Sequence, residues 1–158
     1  ERNIKARFLL AGDLDLNNPS GISQNDLNKI KNEGNVEVLG YYKNIEKLYN
    51  ASHIICLPSY REGFPKGLVE AAAAGRAVVT TDVPGCRDAI IPNRTGLLVP
   101  VKNSIKLANT LHWLIEHPKE RLMMGKAGRI LAEKEFAIEK IVQCHLDIYQ
   151  ELIKDKSS

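Results

Sequence analysis

The sequence predicts an α/β domain: a mostly parallel sheet with helices on both faces. Short apolar runs alternate with segments of helical periodicity, the connections between them are short, and Gly or Pro punctuates most of their ends. Residues 6–11 (ARFLLA) are the first such run, ending at Gly12-Asp13 in the manner of a buried strand and its turn. A polar loop over 13–23, containing Asn18-Pro19, leads to a predicted helix at 25–32 closed by Gly34. Residues 36–39 predict a second strand ending at Gly40, and 44–51 a short helix with Ile45, Leu48 and Tyr49 at offsets of three and four. Residues 54–57 predict a third strand, stopped by Pro58-Ser59. The turn-rich segment 60–67 feeds an alanine-rich helix that runs to Ala74 and ends at Gly75. Alanine has high helix propensity, and its small side chain permits close packing on a sheet. Residues 77–80 and 96–99 predict the fourth and fifth strands, the fifth bounded by Pro100. From Ser104 the pattern turns helical: one helix over 104–116, a second opened by Pro118, whose fixed φ suits a helix start. The last segment aligns Ile138, Ile141, Val142, His145, Tyr149 and Leu152 on one stripe, expected to be core.

Composition narrows the function classes. The chain has 158 residues, enough for one domain with a substantial core, and its 44% hydrophobic and 26% charged content is that of a globular protein. With 22 basic and 19 acidic residues the signs nearly balance, which argues against a nucleic-acid binder. The short basic runs at Lys29-Ile30-Lys31 and Lys154-Asp155-Lys156 read as solvated helix surface. Cys56, Cys86 and Cys144 have neither disulfide-framework nor metal-site spacing, and Cys56 in its apolar run reads as a small core group in a reducing compartment. No apolar run of membrane-spanning length and no signal-peptide pattern is read in these 158 residues, which says little about the longer protein the chain is expected to come from. The chain starts at Glu1-Arg2-Asn3 without an initiator Met, which reads as a piece excised from a longer enzyme.

In parallel sheets of this kind ligands bind at the carboxyl ends of the strands, which directs attention to the loops after Leu10, Leu39, Leu57 and Thr80. The informative stretch is PSYREGFPKGLVE, residues 58–70. Gly63 and Gly67 let backbone approach a ligand closely. A helix beginning near Gly67 offers unpaired N–H groups and the positive end of its dipole, both suited to a diphosphate. Glu70, about one turn in, can accept hydrogen bonds from ligand hydroxyls, and Glu62 lies in the loop on the other side of the anion site. A phosphate flanked by hydroxyl-bearing groups is the layout of a sugar nucleotide, although an isolated Glu-Gly pair before a helix more often marks a turn with a solvated cap.

Glu62 and Glu70 have seven residues between them, and the surrounding pattern resembles the E-x7-E signature of the family-4 (group 1) retaining glycosyltransferases. The resemblance extends through Leu9-Leu10-Ala11-Gly12, Leu39-Gly40, the run from Ala71 to Val79, Thr81-Asp82-Val83-Pro84-Gly85-Cys86-Arg87-Asp88 and Thr95-Gly96-Leu97-Leu98-Val99-Pro100. The segments around Gly12-Asp13 and Pro58-Gly63 look most like members that build bacterial surface polysaccharides.

That resemblance implies the C-terminal, Rossmann-like half of a GT-B fold, a nucleotide-sugar-binding domain over 1–158 without the N-terminal acceptor domain. It implies that Glu70 binds the ribose hydroxyls, and that Glu62 lies by the donor sugar as the catalytic candidate. The Gly63-Phe64 backbone would address sugar hydroxyls, the Gly67 and Leu68 N–H groups would hold the diphosphate, and Gly12 with the Gly40-Tyr41 turn would line the nucleotide pocket. Lys66 reads either as a phosphate neighbour or as an exposed loop lysine. Tyr41-Tyr42 reads either as a base-stacking pair or as strand-end packing. The implied reaction transfers the sugar of a nucleotide-sugar, a UDP-sugar by the subgroup resemblance with a GDP-sugar as the alternative, with retention and without a metal or other cofactor, to a growing polysaccharide or lipid-linked glycan. The implied partners are the nucleotide-sugar, the acceptor and the protein's own N-terminal domain. The implied location is cytoplasmic, at the inner face of the membrane. Members use an Arg and a Lys upstream of the Gly12-Asp13 segment to neutralise the leaving diphosphate, so the piece is expected to be inactive alone. In the family the last helix often crosses back to the N-terminal domain, which would leave part of its stripe exposed here.

Other candidates carry plainer readings. His53, His112, His117 and His145 lack partners at ligand spacing, and Asp13 with Asp15 reads as a polar turn rather than a metal pair. Asp82, Arg87 and Asp88 are expected to shape a cleft rim. Two rival functions remain, a nucleotide-sugar epimerase of the same architecture and a non-enzymatic nucleotide-binding module. Ala11-Gly12-Asp13 in place of a full GxGxxG disfavours a dinucleotide oxidoreductase.

Overall fold

The structure, a computed structural model, describes residues 4–15 and 21–155. Asn18, Pro19 and Lys156 of the sequence reading lie outside the described residues. The chain forms two compact units, residues 1–45 and 46–158.

The first unit is a β-α-β arrangement of β1 (Leu9–Ala11), α1 (Gln24–Glu33) and β2 (Glu37–Gly40). β1 and β2 run parallel, with Leu9 opposite Glu37 and Leu10 opposite Val38. The Ser23 side chain caps α1 by accepting from the Asp26 N–H at 3.1 Å, and Gly34 ends the helix in the left-handed region at φ 68°. The first strand is shorter than the apolar run suggests and begins only at Leu9. Gly12 and Gly40, both at positive φ, close the strand ends on each other through a Gly12 N–H to Gly40 O bond of 2.8 Å. Neither backbone conformation suits a residue with a Cβ.

The second unit contains α2 (Ile45–Ala51, which starts at the boundary), β3 (Ile54–Leu57), α3 (Lys66–Ala73), β4 (Ala77–Thr81), α4 (Pro84–Asp88) and β5 (Gly96–Val99). Three helices follow: α5 (Ser104–Glu116), α6 (Pro118–Glu135) and α7 (Ile138–Asp155). The sheet order is β3-β4-β5, all parallel, with Ile54 opposite Ala77 and Val78 opposite Gly96. β4, central and wholly buried, sends alternate side chains to opposite faces. Val79 joins Ala77, Val99, Leu114 and Met124 in one cluster, while Val78 lies beside Gly96 near Ile90. α6 packs closely on α3: Gly125 faces the Gly75 carbonyl, and a Cβ at Gly128 would come within 3.5 Å of Ala72 Cα.

The α/β class with parallel strands flanked by helices is as the sequence predicts, although the strands hydrogen-bond as a pair and a trio. Two readings are corrected and one helix is added. Cys56 is exposed, because β3 is an edge strand of its sheet, and it is Cys86 on α4 that is fully buried. α4 was not anticipated: five residues opening with Pro-Gly carry too little periodicity to announce a helix. The stripe on α7 is not core, since Ile138, Ile141, Val142, Tyr149 and Leu152 are all exposed, joined by Ile148 and Ile153. Amphipathic periodicity defines an apolar face but does not guarantee that this stretch of chain covers it.

Candidate nucleotide-sugar site

The second unit gathers Glu62, Gly63, Phe64, Lys66, Gly67, Leu68 and Glu70 around the start of α3. β3 delivers the chain to this point, and two buried threonines pin its end. Thr80 Oγ1 donates to Leu57 O at 2.8 Å, and Thr81 Oγ1 donates to Ser59 O. Pro65, at φ −74° and ψ 107°, is the N-cap of α3 and contributes no side-chain cap. The helix mouth is therefore left to backbone amides and to whatever they bind.

These amides are not equivalent. Leu68 N–H donates to Pro65 O at 3.0 Å, so it already has a partner, which weakens the expectation that it holds phosphate. Among the described residues no backbone acceptor takes the Gly67 N–H, which leaves it as the better anion donor. Leu68 itself buries its side chain completely and anchors the first turn in the core.

Glu70 lies one turn into α3, its side chain about one third exposed at 32%, and its two oxygens have different neighbours. Oε1 is 3.4 Å from Lys66 Nζ, and Oε2 is 3.4 Å from the hydroxyl of Tyr49 on α2. Lys66 is the first residue of α3 rather than a loop residue, and its side chain is 88% exposed. A lysine so solvated forms only a weak ion pair and remains available to an incoming anion.

Glu62 and Gly63 form the loop on the other side of the helix mouth, resting on α4 so closely that a Cβ at Gly85 would overlap the Gly63 carbonyl. The Phe64 ring packs edge-on against Phe136, centroids 5.4 Å apart, and remains half exposed. Lys102, following β5, lies 5.8 Å from the centroid of the Tyr60 ring and brings a cation to the loop after β3. Asp82 and Arg87 satisfy each other at 2.6 Å. Gly12, Gly40 and Tyr41 belong to the first unit, where the two glycines are bonded and Tyr41 is 76% exposed, so Tyr41 is not packed.

Sequence reasoning missed Tyr49, Gly85, Lys102 and the Thr80-Thr81 pair. Two adjacent threonines ending a buried strand were a readable sign of side chains tying neighbouring loops, and Pro-Gly after Val83 a sign of close approach. Nothing local marked Tyr49 as anything but the apolar side of its helix.

Comparison with known proteins bears on this geometry. The family description "Glycosyl transferases group 1" matches residues 1–131. The chain belongs to the group 1 glycosyltransferases. Among these glycosyltransferases, a relative from Campylobacter jejuni, N,N'-diacetylbacillosaminyl-diphospho-undecaprenol alpha-1,3-N-acetylgalactosaminyltransferase, is 37% identical over 151 residues. The match covers 96% of this chain and 39% of that enzyme, so the chain spans about two fifths of its relative's length. Sucrose-phosphate synthase from Thermosynechococcus elongatus superposes with a TM-score of 0.83 at 28% identity, covering 93% of this chain and 38% of the synthase. Anabaena HepE, solved in complex with UDP, superposes at 0.82 with 22% identity, covering 92% and 41%, a likeness of fold. The expected C-terminal glycosyltransferase domain of GT-B type is thus the domain found. Among the described residues no helix of this glycosyltransferase is long and apolar enough to cross a membrane.

Proposed function

We propose that the start of α3 binds the diphosphate and ribose of a nucleotide-sugar, a UDP-sugar, whose sugar is transferred with retention to a lipid-linked glycan. The observation that carries the reading is the juxtaposition of an open Gly67 N–H with the partly exposed Glu70 carboxylate one turn further on. The first suits a phosphate oxygen at the positive end of the helix. The second suits a pair of hydroxyls, since an ionised carboxylate offers about four acceptor sites. Lys66 adds mobile positive charge beside both. Glu62 and the Gly63-Phe64 backbone, on the far side of the diphosphate, then meet the sugar. Gly12, Gly40 and Tyr41 enter the proposal through the family resemblance alone.

The chemistry is loss of a diphosphate leaving group, whose charge grows as the bond breaks. Groups placed to meet that growing charge lower the barrier most. Gly67 N–H and Lys66 supply part of this, and the reading requires no metal. The acceptor class is supported by the Campylobacter relative, whose name specifies an undecaprenol-linked diphosphate sugar. With such an acceptor, the proposed working location of the whole protein is the inner face of the cytoplasmic membrane.

An amide-NMR titration with UDP, GDP, ADP and UDP-N-acetylglucosamine, repeated on Glu70→Ala, tests the site. Saturable shifts at Gly67 that weaken in the variant are expected, with UDP the strongest diphosphate. Shifts indifferent to Glu70 would reject its ribose role, and a preference for GDP would replace UDP as the donor base.

A further inference from the structure

We propose that Tyr49 is a positioning residue for the donor site: its phenol holds Glu70 Oε2, so that Oε1 is the oxygen presented to the ribose. The proposal rests on the nucleotide-sugar reading above. Tyr49 is the buried residue of α2 and approaches α3 from the protein side. Its hydroxyl reaches Glu70 Oε2 at 3.4 Å, and it stands where a Cβ on Gly67 would come within 3.3 Å of it. The phenol thus fills the space that glycine leaves in the first turn and ends against the carboxylate. On the opposite side, Oε1 faces the solvated Lys66 ammonium at 3.4 Å, which marks the outward direction.

A glutamate on a helix surface samples several rotamers and must give up that freedom to grip two hydroxyls at once. A buried donor on one oxygen removes much of that cost before the ligand arrives, the usual benefit of preorganisation. Lys66 cannot do this, being long, exposed and weakly held. Burial, with the adjacent Glu70 carboxylate, pushes the Tyr49 hydroxyl up to about 12, so it remains a donor throughout the neutral range.

The test is a titration of UDP and of 2′,3′-dideoxyuridine 5′-diphosphate against the protein, Tyr49→Phe, Glu70→Gln and the double variant. Phenylalanine keeps the buried ring, and dideoxy-UDP keeps the diphosphate while lacking the hydroxyls that Glu70 would bind. Tyr49→Phe is expected to weaken UDP about tenfold, the scale of one hydrogen bond to a charged group, and to change dideoxy-UDP less than about twofold. The double variant should bind UDP no more weakly than Glu70→Gln, because Tyr49 acts through Glu70. Equal weakening of both ligands by Tyr49→Phe means a general packing role and overturns the proposal, as does no weakening of either. If Glu70→Gln fails to lower the preference for UDP over dideoxy-UDP, the ribose assignment itself is wrong. That result is read from the Glu70 variant alone, and the positioning role falls with it.

Discussion

Gly85 lies against the Glu62-Gly63 loop and Gly125 against Gly75 at the end of α3. A Cβ on Gly85 would overlap Gly63 O and lie 2.5 Å from Glu62 O, where 3.0 Å is the floor for real Cβ contacts. Gly85→Ala must therefore move the Glu62 carbonyl by about 0.5 Å at least, and the Gly63 carbonyl further. A Cβ on Gly125 overlaps Gly75 O to the same degree, but that strain falls on the C-terminal end of α3. Both substitutions overpack a backbone contact and should destabilise by about 1–3 kcal/mol, part of it offset by alanine's better helix propensity. They differ in function. Gly85→Ala displaces the loop assigned to the sugar while leaving Gly67 and Glu70 in place, so binding of UDP-N-acetylglucosamine should fall relative to UDP. A displacement on this scale at a reacting centre can cost up to about a hundredfold in turnover. Gly125→Ala should leave the ratio of the two affinities unchanged. The assays are urea denaturation for stability and calorimetric titration with both ligands. If Gly85→Ala matches Gly125→Ala in stability loss and also keeps the affinity ratio, α4 does not support the sugar loop and the reasoning is refuted.

Two further expectations follow from packing and protonation. Leu114 is completely buried among Ala77, Val79, Val99 and Met124, so Leu114→Ala should cost about 2–5 kcal/mol in chemical denaturation. A loss under about 1 kcal/mol would show that this cluster is not the organising core of the second unit. The Tyr49 hydroxyl is raised from its ordinary 10.0 to about 12, so the folded state holds this proton more tightly than the unfolded chain. Its contribution is intact below pH 10 and declines as pH rises through the interval to about 12. Comparing alkaline unfolding of the protein with that of Tyr49→Phe, the variant should show the shallower loss over that interval. Identical profiles would mean the phenol is not shielded.

What was legible in the sequence follows from how locally each feature is encoded. β3 and β5 fall where they were predicted because Pro58 and Pro100 bound short apolar runs, and α5 because the capping Asn103 and Pro118 bracket a clear helical period. Asn103 accepts from Lys106 N–H at 2.9 Å, so the start of α5 is fixed by a bond three residues long. The E-x7-E spacing was legible for the same reason, since both carboxylates and the helix mouth between them belong to one continuous segment. Residues that support this segment from elsewhere were not. Tyr49 meets Glu70 from 21 residues away, and Thr81 meets Ser59 from 22, through crossovers that set helix against helix and strand beside strand. In local sequence Tyr49 is one more apolar position on a short amphipathic helix, and only its depth beside Gly67 turns the hydroxyl into a constraint on a carboxylate. The α7 stripe shows the converse. Its periodicity was read correctly, yet periodicity describes what a helix can bury and says nothing of what is there to bury it. A motif whose parts are adjacent in the chain is thus joined by a scaffold of α2, α4 and the β4 threonines that contacts it from elsewhere. The Tyr49→Phe and Gly85→Ala variants probe the second without altering the first.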